Sequence, residues 1–274
     1  MDKNTTENFT LDIKRQTHSF IQGVVLAAIV LPGVVGNVFA LIITTRLLKL
    51  REHRLSPNIF AFGLTTIDLF AVVGISAPSL ICYVAGEWVG GVPLCKFQGF
   101  LALFCSLASG GVAVSMAVER YISVASPLRY RTKISASLAK KVLVAVVTGT
   151  ATLSLMPVGG IGNFVKAASG TFCTFDWFAK RLEDVVYSYI IVVYSTILIA
   201  TLVFCNANII FKLFQSTKRR QRTLSELGSE KEISLSSMKR TIEWQFGKMM
   251  FFISAIFLLC WIPFTVSLNC LFFS

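Results

Sequence analysis

Charge is scarce in this sequence: Asp, Glu, Lys and Arg make up 15% of 274 residues, against 54% hydrophobic residues and a mean hydropathy of +0.70. Soluble domains carry roughly a quarter of their residues charged, so a water-exposed globule is excluded. Histidine is scarcer still. The two present, His18 and His53, lie outside the apolar runs, and no metal-ligand or nucleophile constellation accompanies them. An enzyme is therefore not expected. The alternating pattern of an outer-membrane barrel is missing, as are a repeat of 20 to 50 residues and the inverted hydropathy symmetry of transporters. A transporter or channel would also show several charges or broken helices inside the membrane; here Asp68 is the lone acid in its apolar run. Residues 1–18 contain no apolar core, so no cleavable leader is expected and the first span must direct insertion.

What the sequence does have is apolar length. Six runs, near 20–45, 57–85, 94–124, 138–161, 185–214 and 246–273, can each cross a hydrocarbon core of about 30 Å, which takes roughly 20 helical residues. Isolated spans in lipid must be helices, because nothing else there satisfies backbone N–H and C=O groups. Most of the Lys and Arg residues fall in segments 46–54, 120–141 and 212–248, whereas the segments on the opposite side balance bases against acids. The basic side is therefore expected in the cytoplasm and the N-terminus outside. That sidedness also accounts for the net charge of +12 without nucleic acid as a partner.

The expected organisation is an outer tail over 1–19, with sequons at Asn4 and Asn8 open to glycosylation, followed by one all-α membrane bundle over 20–273. Within the bundle, 215–243 is a charged, Ser-rich third inner loop, expected to be partly ordered as a cytoplasmic extension of two helices. It reads either as a basic surface near anionic lipid or as a surface for a cytoplasmic partner.

Five of the seven cysteines lie within or at the edges of apolar spans, where a small soft side chain packs well. Cys95 and Cys173 occupy outer positions, and an oxidising exterior permits a disulfide between them. Two unpaired outer thiols are the alternative. From Cys95 to Arg120 is 25 residues, about 37 Å of helix, so Arg120 sits at the cytoplasmic mouth. By itself the adjacent pair Glu119-Arg120 reads as a snorkelling interfacial site. Asp68 costs roughly 2.5 to 3.5 kcal/mol inside the bilayer and so is expected to have a role, with Asn37 of the first span as its polar partner. In the sixth span Pro263 frees the Leu259 carbonyl and kinks the helix beside Trp261. Glu243, 20 residues before Pro263, lies at the depth of Arg120.

Taken together, Gly36-Asn37, Leu64 with Asp68, Cys95, Glu119-Arg120-Tyr121, Pro127-Leu128, Cys173 and Cys260-Trp261-Ile262-Pro263 resemble, in order and spacing, the rhodopsin-like G-protein-coupled receptors. YVAGEWVGGVPLC (83–95), SGTFCTFDW (169–177), MPVGGIG, FCNANIIFKLF and IEWQF are similar to the prostanoid branch, above all to the prostaglandin E receptors of subtypes 4 and 2. Like that branch, the chain lacks the Trp usual in helix four and the Pro usual in helix five. Phe172 departs from the branch, whose outer loop more often has Trp there, and SPLRY is nearer the general receptor pattern.

The resemblance implies a seven-helix receptor bundle of which six helices are present, in the plasma membrane, and no catalytic activity. It implies that a ligand carboxylate meets Tyr83, with Ser79 one turn below, and Thr171 of the second outer loop. Phe100, Leu103, Phe104 and Leu107 would line a tunnel for a lipid tail, or simply pack the bundle. Glu119, Glu243 or both would latch Arg120, which with Tyr121 meets the G protein; Trp261 and Pro263 would form the helix-six pivot, and Pro127-Leu128 the foothold of the G protein. The partners implied are a lipid-derived agonist, a heterotrimeric G protein of the stimulatory type, arrestin, receptor kinases and membrane lipid. No cofactor is expected, and the one metal admitted is a sodium ion at Asp68.

An amine receptor is disfavoured because Ala102 stands 18 residues before Arg120, where that group has Asp. An opsin is disfavoured too, although its retinal Lys would lie beyond the sixth span. Since the sequence stops at Ser274, before a seventh span with its Arg, the expectation is a fragment of a receptor, with a short non-signalling isoform that dimerises with full-length receptor as the alternative. A class A receptor for a different ligand is the other alternative.

Overall fold

The computed structural model describes residues 3–49, 55–167, 169–177, 180–227 and 259. Among them the chain runs α1 (Lys3–Lys49), α2 (Leu55–Ala85), α3 (Gly91–Ala125), α4 (Pro127–Lys133), α5 (Ala136–Leu155), β1 (Phe164–Lys166), β2 (Cys173–Phe175) and α6 (Leu182–Leu227). Five stretches of these helices are long and apolar enough to cross a membrane: Phe20–Lys49, Ser56–Ala85, Gly91–Ala125, Ala136–Leu155 and Leu182–Lys212. They match the first five expected spans. The sixth, 246–273, lies outside the described residues, and with it Glu243 of the inner loop before it, Trp261 and Pro263.

One span boundary differs from expectation, and two helices run on past their spans. The first helix has no break at residue 19, because positions 3–22 contain neither Gly nor Pro to interrupt it; Asn4 and Asn8 therefore lie on helical backbone. The fourth span ends at Leu155 rather than at 161. Pro157 has no N–H to give the Leu153 carbonyl, and the Tyr187 hydroxyl donates to that carbonyl instead, at 2.7 Å. Past the fifth span the chain stays helical to Leu227, so the first part of the 215–243 segment continues α6.

Two compact units divide the chain, residues 1–112 with 140–189 and residues 113–139 with 190–274. In the first, α1 packs along α2, and glycines on α2 receive bulky neighbours. A Cβ at Gly63 would lie 2.7 Å from a methyl of Leu143 on α5, so the missing side chain is what lets the helices approach. Leu107, Ala108 and Val112 of α3 are fully enclosed. Large apolar residues such as Phe39, Phe70 and Val84 face outward, as lipid-contacting helices require. In the second unit, Ala117 of α3 packs with Leu202 and Cys205 of α6, flanked by Val114, Val118 and Tyr121.

Between α5 and α6 the chain folds into an antiparallel hairpin, pairing Phe164 with Phe175 and Lys166 with Cys173. Its approach is set by Gly162 at φ +88°, a left-handed conformation that Gly adopts without penalty. The Gly162 N–H donates to the buried Asp184 carboxylate at 2.7 Å. That acid stands in the first turn of α6, where the helix dipole favours negative charge. Phe175 fills the space beneath, edge-on to Trp177 at 4.7 Å and tilted to Tyr187 at 5.3 Å.

Candidate ligand site and switch residues

At the disulfide end of α3 three successive contacts hold the hairpin. Cys95 is bonded to Cys173, so of the two states open to these thiols the chain adopts the bridge. One turn on, Gln98 accepts a hydrogen bond from the Cys173 N–H through Oε1, at 2.7 Å. Gly99 forms a notch for the Phe164 ring, whose Cδ1 would be 2.5 Å from a Cβ placed there.

The Gln98 side chain is completely enclosed and turns its amide to α2, donating to the Ile75 carbonyl at 2.8 Å and to Ser79 Oγ at 2.9 Å. Pro78 lies inside α2 and, lacking an N–H, leaves the Gly74 carbonyl without its helical donor. Ser79 also donates to the Ile75 carbonyl, at 3.1 Å. Its hydroxyl hydrogen is thus engaged, and Ser79 is built into the helix packing. Tyr83, one turn further, is half-buried against α1, where the absent side chain of Gly23 leaves it room. Thr171 stands two residues before Cys173, with its hydroxyl 2.9 Å from that of Ser169. The structure therefore brings the elements bearing Tyr83, Ser79 and Thr171 together through Gln98 and the disulfide. On the α3 face, Phe100 and Phe104 stack at 5.8 Å, while Leu103 and Leu107 are buried.

Deeper in the same unit, Asp68 accepts a hydrogen bond from the Ser109 hydroxyl of α3 at 2.7 Å. The expected partner, Asn37, turns its amide to the Gly33 carbonyl of its own helix at 3.0 Å. An intramembrane carboxyl needs such a donor, because unpaired polar groups are costly there.

In the second unit, Glu119 is buried, at 4% exposure. Its Oε1 accepts a hydrogen bond from the Tyr130 hydroxyl at 2.9 Å, and Oε2 has no hydrogen-bond partner among the described residues. Tyr130 is delivered by α4, which Pro127 opens at its first turn, where a missing N–H is harmless. Arg120 beside Glu119 is half-buried. The Tyr121 ring meets Phe204 at 6.1 Å and Lys212 Nζ at 5.8 Å, the latter within cation–π range. Leu128 projects outward, 78% exposed.

Gln98, Ser109 and Tyr130 were not singled out in the sequence. An amide in the apolar opening of a span is a signal that could have marked Gln98; Ser109 and Tyr130 are of types too common in spans and inner loops to stand out.

Residues 36–273 match the family model of the 7 transmembrane receptor (rhodopsin family). The chain belongs to this family. Its members are multi-pass membrane receptors rather than enzymes, and the membrane-spanning helices described above are theirs in kind. Relatives include the human prostaglandin E2 receptor EP4 subtype, 30% identical over 72% of this chain and 40% of that protein. Melanopsin-B of Xenopus laevis is 25% identical over 85% of this chain and 42% of that protein. This chain thus spans about two fifths of the length of the curated relatives it matches. Squid rhodopsin shares the fold, with a TM-score of 0.78 over 92% of this chain and 72% of that one, at 19% identity.

Proposed function

We propose that this receptor resides in the plasma membrane with its N-terminus outside, binds a prostaglandin E2-like lipid acid, and signals through a stimulatory heterotrimeric G protein. The observation that carries the ligand is the pair of hydroxyls on Tyr83 and Thr171, borne by two elements tied together at the disulfide end of α3. Hydroxyl donors suit a carboxylate, because hydrogen bonds to a charged acceptor are about twice as strong as neutral ones. Likeness to the EP4 subtype supports the same ligand class.

Signalling is a two-state switch. In the resting state Arg120 is held by Glu119, by Glu243 or by both, and Trp261 and Pro263 form the pivot of helix six. An agonist favours the state in which that helix swings out and Arg120 and Tyr121 meet the G protein, with Pro127 and the exposed Leu128 as its foothold. Arrestin and receptor kinases use the same face, Asn4 and Asn8 carry glycans outside, and Asp68 with Ser109 offers oxygen ligands to a sodium ion.

The test is cyclic AMP in cells expressing the complete receptor. Prostaglandin E2 should raise it at submicromolar concentration, and Tyr83→Phe and Thr171→Ala should each shift the response to higher concentration with expression unchanged. A second reading, light sensing, is favoured by the likeness to Melanopsin-B. Response to light after retinal addition, with none to prostaglandin E2, would overturn the lipid-acid reading.

A further inference from the structure

Gln98 is a long polar side chain wholly enclosed within unit one, and its side-chain hydrogen bonds all leave its own helix. Its carbonyl oxygen faces β2 and its amide nitrogen faces α2. A Gln buried for packing alone would be replaced by an apolar residue at no loss, since an enclosed amide without partners costs free energy. Here each polar atom meets a complementary one, and the two elements it joins are those that carry Tyr83, one turn beyond Ser79, and Thr171, two residues before Cys173.

We infer that Gln98 is a positioning residue, which fixes the separation of the Tyr83 and Thr171 hydroxyls by clasping Ser79 of α2 and the main chain of Cys173 in one hydrogen-bonded unit. This rests on the ligand reading above for its function, but the clasp itself is a property of the unliganded protein. The disulfide cannot do the same work. It ties β2 to α3 alone, whereas Gln98 carries the tie across to α2. Because Ser79 gives its hydrogen to Ile75 and receives one from Gln98, its task in the site is to hold the amide, leaving anion contact to the hydroxyls on either side.

The clasp makes a cross-element prediction. A change on α2 must be felt at the Cys173 amide, and only while Gln98 is present. In the complete receptor in lipid nanodiscs, amide hydrogen exchange at Cys173 is followed by mass spectrometry with residue resolution, without ligand. Gln98→Leu should speed that exchange by about tenfold, the loss expected of one buried hydrogen bond. Gln98→Glu, which keeps an acceptor for the Cys173 N–H and to which the Ser79 hydroxyl can rotate and donate, should restore most of the protection. Ser79→Ala should speed exchange at Cys173 by about threefold in the native protein and have no added effect beside Gln98→Leu. Unchanged exchange in Gln98→Leu, or equal acceleration in the Leu and Glu variants, overturns the clasp. Should Gln98→Leu fail to fold, Ser79→Ala alone decides: no change at Cys173 overturns the inference.

Prostaglandin E2 binding is measured on the same proteins. Weaker binding in Gln98→Leu, recovered in Gln98→Glu, supports the positioning role, and undiminished binding in Gln98→Leu overturns it. If the native receptor takes up no prostaglandin E2, the ligand reading fails, while the exchange data still decide whether the clasp exists.

Discussion

Replacing Tyr187 by Phe removes one oxygen and one hydrogen bond, that to the Leu153 carbonyl at the end of α5. The ring stays, packed against Phe175 at 5.3 Å in a site that is 1% exposed, so the transfer term hardly changes. What changes is a carbonyl at a helix end left with only the Met156 N–H, at 3.2 Å, since Pro157 has no N–H to offer it. The net contribution of one such hydrogen bond is about 0.5 to 1.5 kcal/mol, and with the Met156 N–H still in place the loss lies toward the middle of that range. For a protein of this size, about 1 kcal/mol corresponds to roughly 2 to 4 °C in apparent melting temperature. The reasoning has a sharper consequence. In Pro157→Ala the residue 157 amide can reach Leu153, so Tyr187→Phe should cost less than half as much there, a coupling of the kind a double-mutant cycle isolates. The assay is thermal unfolding in detergent with a thiol-reactive dye, because Cys82, Cys105 and Cys205 are buried and unpaired until the fold opens. Equal and additive losses in the two backgrounds would refute the account of how α5 ends.

Further outcomes follow from other contacts. Cys95→Ser removes a cross-link between positions 78 residues apart, worth about 4 to 5 kcal/mol in the chain-entropy model; the expected result is a large fall in surface expression that a second change, Cys173→Ser, does not deepen. Tyr130→Phe leaves the buried Glu119 carboxyl without its donor, and basal cyclic AMP should change several-fold while agonist affinity moves less; unaltered basal signalling would remove Tyr130 from the switch. Asp68→Asn retains an acceptor for Ser109 and should fold normally, but agonist binding should lose its sensitivity to exchanging sodium for potassium. Gly99→Val drives a branched side chain into the Phe164 ring and should loosen the hairpin, seen as faster exchange across β1.

The helices were legible because their cause is local: a run of apolar residues long enough for a bilayer specifies a helix whatever its neighbours are. The cysteine pairing was open to reading for a related reason, since sidedness follows from where Lys and Arg fall. What stayed hidden depends on partners far apart in the chain. The end of α5 is set by Pro157 together with Tyr187, 30 residues later, and hydropathy alone carries the run on to Ile161. Asp68 was marked by its isolation, but its donor is Ser109 rather than Asn37, because a hydroxyl on the facing helix cannot be told from its neighbours until the helices are packed. Gln98 was passed over in the same way: its meaning lies in Ile75, Ser79 and Cys173, and none of these is near it in sequence.

The length of α6 has a mechanical side. From Lys212, where the membrane-spanning stretch ends, the helix continues to Leu227, a further 22 Å or so at 1.5 Å per residue. A continuous helix transmits tilt without loss, so a rotation of about 10° where it leaves the bilayer sweeps its tip by about 4 Å. Small repacking around Leu202 and Cys205 is thereby magnified into a displacement the size of a side chain at the far end.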